Sequence, residues 1–396
     1  MEYLNQLFFS GNYIAALQWI DAIIYLIFLA TVLYLLIFSL SSLRKKRDRY
    51  PTAPIKYRFA ILIPAIDYTT IDLECIKTIA NQSYAKDKFD IYVISKSLSS
   101  KSISDLEKLD VTCITYLNYP RENKANCLLT AVNYIESNDK IYDIIVTLNP
   151  NEKIGSIFLD KLNNTFYSGC SVAQTHKIVK SQKTAYDTLH AVKEEINNSI
   201  FRLGHTKLGF SSALNNSGMA FEYALFLEFI QTSQIDSVTK NLEQKILSEF
   251  IYIEYLSDVH VYEMETAIEN TNEYDLLNNF SSQVSGFING FKILPKALLD
   301  SNWDYCNKIF QWMLPPTIIL VGLIFIFSLI FTYTDWTLSI KWWGLLVLLL
   351  VTYSISIPEK MINRKLTIAI FLSPFVLIRL IFNKIFSFNR KKKTYK

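Results

Sequence analysis

Residues 57–64, YRFAILIP, form an apolar run that ends in a proline and decides how the first half of the chain is interpreted. A short apolar run bounded by a breaker is typical of a buried β-strand. Apolar residues at helical spacing follow over 71–82, and a second apolar run, FDIYVIS, occupies 89–95. Two strands whose starts lie about 30 residues apart, with a helix between them, predict a βαβ unit.

The same pattern continues, with predicted strands at 111–116 and 142–148 and a predicted helix over 124–136 between them. Alternating apolar strands and helices predict an α/β domain with a parallel, doubly wound (Rossmann-like) sheet. Ligands of such sheets bind beyond the carboxyl ends of the strands. The residues after Ile63, Ile94, Tyr116 and Leu148 are therefore the first candidates for a site.

Long uncharged segments flank this domain. Residues 22–43 contain no Asp, Glu, Lys or Arg, and at 1.5 Å per residue they span about 33 Å, enough for a hydrocarbon core of about 30 Å. Basic residues follow over 44–49, which places this end in the cytoplasm and the N-terminus outside. Two further spans are predicted at 312–334 and 342–357. The last apolar segment, 366–385, is interrupted by charges and predicts an interfacial or re-entrant helix.

These segments divide the chain into five parts, and membrane lipid is an expected partner. The parts are an N-terminal transmembrane helix with a basic anchor (1–49), a cytoplasmic domain (56–270), membrane-interface helices (271–311), two transmembrane helices (312–357) and an interfacial helix with a basic tail (358–396).

The composition excludes several classes of function. The 396 residues are 51% hydrophobic and 19% charged, less charged than the roughly 25% of an average soluble domain. A net charge of +4 gives no support for nucleic-acid binding. Five cysteines without a C-x-x-C pair argue against a disulfide framework or a zinc ribbon, and four histidines without an H-x-x-x-H pair predict no metal cage.

Four further segments carry a family resemblance. ILIPA at 61–65 is similar to an opening strand, NQSY at 81–84 to a Gln-x-Tyr turn, KANCL at 124–128 to a Lys-Gly/Ala-x-Ala-Leu segment, and FSSALNNSGMAF at 210–221 to an acceptor-side loop. With the order of the apolar segments, they make most of the chain resemble membrane-embedded family-2 glycosyltransferases, the cellulose-synthase-like and poly-N-acetylglucosamine-synthase-like enzymes. The resemblance implies a GT-A-type cytoplasmic domain inserted between transmembrane helices.

The residues that would carry the family's chemistry are changed. The metal-binding Asp-x-Asp corresponds to Asn149 and Asn151. Because Mg²⁺ and Mn²⁺ prefer anionic oxygen ligands, we expect no metal or other cofactor unless the acidic pair lies elsewhere. The general-base Asp corresponds to Asn241, and an amide cannot accept a proton from the acceptor hydroxyl. Of the Gln-x-x-Arg-Trp motif, only Gln283 remains.

Parts of a vestigial nucleotide-sugar site remain. Ser95 stands where the family has its nucleobase-binding Asp, and Lys124 is a candidate for phosphate binding, with a solvated lysine at a helix start as the favoured alternative. The acceptor-loop pattern is kept at Asn215, Asn216, Ser217 and Gly218.

For the other polar residues an ordinary structural role is favoured. Glu194 and Glu195 are expected on the solvated side of a helix over 186–202, and Asp143 is expected as a cap or surface charge. An exposed strand face is predicted for Asp258, Glu263 and Glu265, interface anchoring for Trp303 and Trp312, and either a cleft wall or plain surface for His176 and Lys177.

Intact core motifs and lost chemistry favour a pseudo-glycosyltransferase of the bacterial inner membrane. It would act as a non-catalytic subunit that pairs with a protein partner in envelope glycan assembly, with at most weak nucleotide-sugar binding. The alternatives are an active, metal-independent glycosyltransferase that uses the charge of Lys124 or Lys240, and a module that senses a nucleotide or a lipid-linked sugar.

Overall fold

The structure is a computed structural model that describes residues 11–43, 50–66, 71–115, 124–181, 183–232, 238–264, 289–315 and 317–368. Its strands form one sheet: β1 (Phe59–Pro64), β2 (Phe89–Ser95), β3 (Val111–Thr115), β4 (Ile144–Thr147), β5 (Glu152–Ile154), β6 (Val172–Val179), β7 (Met219–Glu222) and β8 (Ile253–Glu263). The helices are α1 (Gly11–Ser42), α2 (Leu73–Ala80), α3 (Ser100–Glu107), α4 (Lys124–Ser137), α5 (Phe158–Tyr167), α6 (Ala185–Asn197), α7 (Tyr223–Thr232), α8 (Val238–Ser248), α9 (289–299), α10 (Trp303–Met313), α11 (Thr317–Thr334) and α12 (Trp336–Ser356).

The sheet is mixed, with strand order β3-β2-β1-β4-β7-β6-β8-β5. Strands β1 to β4 are parallel, as the sequence predicts. The prediction of a wholly parallel sheet is wrong beyond β4, because β7 runs antiparallel to both β4 and β6, and β5 antiparallel to β8. The reversal follows from the entry to β7: Gly218 N donates to Thr147 O at 2.8 Å, so β7 starts where β4 ends and must run the opposite way.

The predicted elements of the parallel half are confirmed within two residues at their ends. Alternate side chains of these strands face opposite sides of the sheet and are buried on both. Leu62, Tyr92 and Ile145 pack on one side against α4, α7 and α8. Ile61 and Val93 pack on the other side with residues of α2 and α5. This double burial explains why the strands are apolar throughout.

A third apolar cluster lies among α1, α11, α12 and α6, and includes Val32, Ile196 and Trp342. Helices α1 and α12 run parallel, because Asp21 accepts from Trp342 Nε1 at 3.0 Å near their starts and Ser39 donates to Thr352 O at 3.0 Å near their ends. Asp21 is also ion-paired with Lys341. Because Ile196 of α6 belongs to the same cluster, α6 connects the sheet domain to the apolar helices.

Two helices of the described chain are long and apolar enough to cross a membrane, Gln18–Ser42 within α1 and Trp336–Ser356. The third expected span, 312–334, is divided, because Trp312 belongs to α10 and the apolar helix after it, α11, covers Thr317–Thr334. Most of the predicted interfacial segment 366–385 lies outside the described residues.

Candidate functional site

The candidate site lies at the carboxyl end of β4, in the turn that leads to β5. The backbone N and the side-chain Nδ2 of Asn149 donate to the Glu152 carboxylate at 2.8 and 3.1 Å. On its other side, Asn149 Oδ1 accepts a hydrogen bond of 3.2 Å from Lys124 Nζ. One amide thus donates to a carboxylate and accepts from an ammonium group, which a carboxylate in its place cannot do.

Lys124 is the first residue of α4 and is partly buried. Its ammonium group also donates to the backbone carbonyl of Asn216, so it joins the β4–β5 turn to the loop before β7. Burial lowers the pKa of Lys124 to about 8, while the nearby Glu152 opposes the shift. The interpretation of Lys124 as a solvated helix-start lysine is therefore wrong.

Glu152 has no exposed surface and its carboxylate is surrounded by donors. Besides Asn149, it accepts from Ser217 Oγ, and Lys177 Nζ lies 3.3 Å away. Lys177 is also 2.7 Å from Glu263. Burial alone would lower the pKa of Lys177, but Glu263 and Glu152 raise it above its usual value. Burial likewise disfavours ionised Glu263, yet Lys177 and then His190 lower the pKa of Glu263 to about 2.

These contacts correct the predicted surface positions. Glu263 does not lie on an exposed strand face, and Lys177 is buried in the network instead of lining a cleft or lying on the surface. Glu265 lies outside the described residues. Asp258 is half-exposed and pairs with Lys161 at 2.9 Å, as a strand-surface charge would.

A second buried pair extends the network towards the loop before β7. Arg202 Nη1 lies 2.7 Å from Glu194 Oε1, and Asn215 Nδ2 donates to the same oxygen at 2.9 Å. Burial disfavours ionised Glu194, but Arg202 and then Lys177 lower its pKa. Glu194 and Glu195 are both 8% exposed, so their expected place on a solvated helix side is wrong. Glu195 lies 3.6 Å from His176 Nε2.

In the loop over residues 210–218, which carries the acceptor-loop pattern, nearly every backbone N–H group donates a hydrogen bond. Leu214 N donates to Glu243 Oε1 at 2.7 Å and Asn215 N to Gln174 Oε1 at 2.7 Å. Gly218 has a φ of 66°, and a Cβ there would lie 2.3 Å from Thr175 Oγ1. Only glycine fits both the dihedral angle and the space.

The other predicted site residues lie in the β4–β5 turn, on α8 and at the end of β2. Asn151 Nδ2 donates to Met264 O at 3.0 Å. Asn241 lies on α8, whose Thr239 donates to Asn216 Oδ1 at 2.7 Å. Ser95 is buried at the end of β2, where its Oγ accepts from Ser97 N at 3.3 Å. Gln283 lies outside the described residues.

Three further residues that the sequence assigns a structural role lie outside the cluster. Asp143, predicted as a cap or a surface charge, is exposed and accepts from Arg58 N at 2.7 Å. Trp303 is 68% exposed at the start of α10, whereas Trp312 Nε1 donates to the buried Glu243 at 3.1 Å. Trp312 thus belongs to the domain interior as well as to the chain segment that precedes α11.

The donors at the β4–β5 turn do not fit the divalent metal that the resemblance implies. The Glu152 carboxylate is already engaged by Asn149, Ser217 and Lys177, and the Asn149 carbonyl accepts from Lys124. A divalent cation there would be repelled by the ammonium group of Lys124. Across the part of the chain that the structure describes, no group of three or more His, Cys, Asp and Glu side chains is arranged to hold a metal ion.

Sequence reasoning missed Glu152 and Arg202 as members of the site, and it named Lys177 only as a possible cleft wall. A lysine inside the strand Val172–Val179 was the available signal, because a charge is almost never fully buried without a partner. The sequence does not show which acid provides that partner.

Comparisons with known proteins give matches of fold only. No protein-family model matches the chain, and no curated protein sequence does either. Among solved structures, the chain is similar to a mannosyltransferase from Pyrobaculum calidifontis in complex with GDP-Man and Mn²⁺, with 14% identity, a TM-score of 0.49, and coverage of 85% of this chain and 97% of that one. It is also similar to glucosyl-3-phosphoglycerate synthase from Mycobacterium tuberculosis, with 12% identity, a TM-score of 0.39, and coverage of 61% of this chain and 82% of that one. A third match is residues 1–349 of S. aureus TarS, with 11% identity, a TM-score of 0.38, and coverage of 67% of this chain and 83% of that one. Similarity at this level assigns no substrate.

Proposed function

We propose that the chain is a GT-A-like membrane protein whose sugar-transfer chemistry has been lost and that serves as a non-catalytic subunit in envelope glycan assembly. One observation carries the proposal: the amide of Asn149 is held between Lys124 and Glu152. The residue at the expected metal position is thus part of a completed internal network.

The charges of this network cancel. Lys124, Lys177 and Arg202 provide three positive charges, and Glu152, Glu194 and Glu263 provide three negative charges. Lys177 pairs with Glu152 and Glu263, Arg202 pairs with Glu194, and Lys124 is joined to Glu152 through the Asn149 amide. A balanced network attracts neither a divalent cation nor a diphosphate, because an incoming ion would have to displace an existing partner in a site of low effective dielectric constant. We infer that nucleotide-sugar binding is weak or absent.

The test is calorimetry on the detergent-purified chain with UDP, GDP and their sugar conjugates, with and without Mn²⁺. We expect no heat of binding at millimolar ligand, with circular dichroism as the control for folding. The matched variant is Asn149→Asp/Asn151→Asp, which restores both acids. Because Lys124 and Glu152 remain in place, we expect it to bind no Mn²⁺ either. Metal-dependent nucleotide binding by the wild-type chain would refute the proposal.

A second candidate function, metal-independent sugar transfer, is favoured by the low pKa of Lys124. An ammonium group that loses its proton near pH 8 can both neutralise a phosphate and exchange protons in the physiological range. Lys240, placed over the Trp312 ring at 5.3 Å, supplies a further positive charge near the same loop. In this case Lys124→Ala abolishes transfer from a radiolabelled nucleotide-sugar; transfer at the wild-type rate in that variant would exclude the role.

The membrane part of the proposal rests on the outer faces of α1, α11 and α12, which expose large apolar side chains; these include Ile23, Leu26, Ile27, Phe325, Ile330, Val347 and Leu350. Patches of this kind mark membrane or protein contact.

Helix α9 is apolar on two sides, because Ala297 is buried while Phe291, Leu298 and Leu299 are exposed. We propose that α9 lies at the membrane surface and that the sheet domain faces the cytoplasm.

This topology is tested by labelling intact bacterial cells with a membrane-impermeant maleimide. Tyr333 is 89% exposed at the end of α11, and Ser137 is exposed on the sheet domain. We expect labelling of Tyr333→Cys but not of Ser137→Cys until the cells are opened, with the wild-type cysteines as background. Labelling of both in intact cells, or the reverse order, would contradict the orientation.

A further inference from the structure

Helix α6 does not end at Asn197 but continues through a π-helical stretch, Asn198–Gly204, into a last helical turn. We call Asn198–Gly204 the π-segment. π-Helical turns are rare and frequently found at functional sites, because the extra residue re-aims the side chains of a helix. Here the π-segment lies between the apolar helix α1 and the loop 210–218 of the candidate site.

One side of the π-segment is packed tightly against α1. Ser41 Oγ donates to Gly204 O at 2.9 Å, and Ser42 Oγ lies 3.0 Å from Ser199 Oγ. A Cβ on Gly204 would lie 2.2 Å from the backbone oxygen of Phe38, closer than any side chain allows. The two backbones therefore meet at van der Waals distance, as helices do where small residues line the contact.

The next residue continues this contact with aromatic groups. The His205 ring is stacked on Phe38 with centroids 3.7 Å apart, and its Nε2 lies 2.9 Å from the Tyr34 hydroxyl. His205 has no exposed surface, and burial lowers its pKa to about 3, so the ring is neutral at physiological pH.

The other side of the π-segment holds the loop 210–218. Ala213 N donates to Phe201 O at 3.0 Å, and Arg202 Nε donates to Ala213 O at 3.3 Å. Phe210 N donates to His205 O at 3.0 Å. Arg202 Nη1 also donates to Glu194 Oε1, and the same oxygen accepts from Asn215 Nδ2. Phe210 and Ala213 are thus bonded to the π-segment and to His205, which follows it. Ser211 and Ser212 instead donate to Asp304 Oδ1 and Ile253 O, and the end of the loop is bonded to β4 through Gly218.

We infer that α1 is a positioning element of the candidate site, which fixes Phe210 and Ala213 through the π-segment and His205, and not merely an anchor. A membrane component that separates α1 from the π-segment would loosen this part of the loop without touching the sheet. The inference holds for an inert site and for an active one, because it concerns the loop and not its chemistry.

The test is Gly204→Ala in the full-length, detergent-purified chain, followed by hydrogen–deuterium exchange. Alanine favours a helix over glycine, so any loosening comes from the clash with Phe38 and not from helix propensity. The matched control is Gly344→Ala in α12, where an added Cβ meets no atom within 4 Å. A second variant, Tyr34→Phe, removes only the hydroxyl next to His205 and serves if Gly204→Ala fails to fold.

We expect the amides of Phe210 and Ala213 to exchange about tenfold faster in Gly204→Ala, with Gly218 and the β1 and β2 amides unchanged. Displacement of α1 is followed independently by oxidative cross-linking of a Ser42→Cys/Ser199→Cys pair, which we expect to become slower. Unchanged exchange at Phe210 and Ala213 despite slower cross-linking would overturn the inference. So would unchanged cross-linking, which would refute the close contact, or faster exchange throughout the sheet, which would indicate general destabilisation.

Discussion

The two halves of the sheet differ in the side chains that they bury. Strands β1 and β2 form the apolar half, which buries Ile61, Leu62 and Tyr92 among other apolar side chains. Strands β5, β6 and β8 also contribute apolar side chains to the core, but they carry the ionised groups of Glu152, Lys177 and Glu263 as well and form the charged half. Apolar burial is non-directional and tolerates small changes of shape, whereas buried charges require each partner in place. The candidate site lies at the boundary, where β4 ends, and it belongs to the second kind.

Loss of the central cation of the charged half is expected to have the largest effect. Lys177→Met removes the partner of both Glu152 and Glu263 and leaves two buried carboxylates uncompensated. Breaking a buried ion pair in this way costs about 3–5 kcal/mol, measured as the change in the free energy of unfolding by urea titration in detergent.

Two further variants decide whether this loss comes from the pairing. The control Lys161→Met breaks the exposed pair with Asp258 and is expected to cost less than about 1 kcal/mol. Adding Glu263→Gln to Lys177→Met should recover part of the loss in a double-mutant cycle. Equal losses for the two lysine variants, or strict additivity in the cycle, would show that the network is not coupled.

The apolar half is expected to respond to lost volume instead of lost charge. Ile61 has no exposed surface, so Ile61→Ala leaves a cavity and is expected to cost about 3 kcal/mol, and Ile61→Val about 1 kcal/mol. The same urea titrations measure the change in the free energy of unfolding, and this change should not depend on pH between 3 and 6. Ile157→Ala, at a side chain that is 53% exposed, is the matched control, with an expected change within about 0.5 kcal/mol. A cost that is graded by burial distinguishes this half from the charged one.

Acid is expected to destabilise only the charged half. The pKa of Glu263 is about 2 in the folded chain, against an ordinary value of 4.5. A lowered pKa contributes stability that is present above 4.5 and is lost as the pH falls towards 2. At pH 3 the loss from this group amounts to about 2 kcal/mol relative to pH 6. Urea titrations at both pH values should give a smaller difference for Glu263→Gln than for the wild-type chain; an equal difference would assign the acid sensitivity to other groups.

The same contrast explains what the sequence predicts and what it does not. The parallel half follows from local patterns, since an apolar run such as 57–64 is buried whatever its neighbours are. The strand directions in the charged half depend on where the loop 210–218 attaches to β4, and no local sequence pattern predicts that attachment. Lys177 and Glu263 are distant in sequence and meet only because β6 and β8 are neighbours. Glu194 has the spacing of a solvated helix side and is buried because it meets Arg202 and the loop residue Asn215.

The smallest expected effect lies at the boundary between the halves. Asn149→Asp places a carboxylate beside the Lys124 ammonium, which favours the charged form, but also about 3 Å from Glu152, where like charges repel. The opposing terms leave a stability change of about 1 kcal/mol or less. The pKa of Lys124 should nevertheless rise from about 8 towards its usual value. Acetylation of Lys124 followed by mass spectrometry between pH 7 and 10 measures this, because only the neutral amine reacts, and the exposed Lys77 serves as the internal reference. An unchanged midpoint would mean that the Asn149 side chain does not contact Lys124 in solution, and the internal cation would then be available to a ligand.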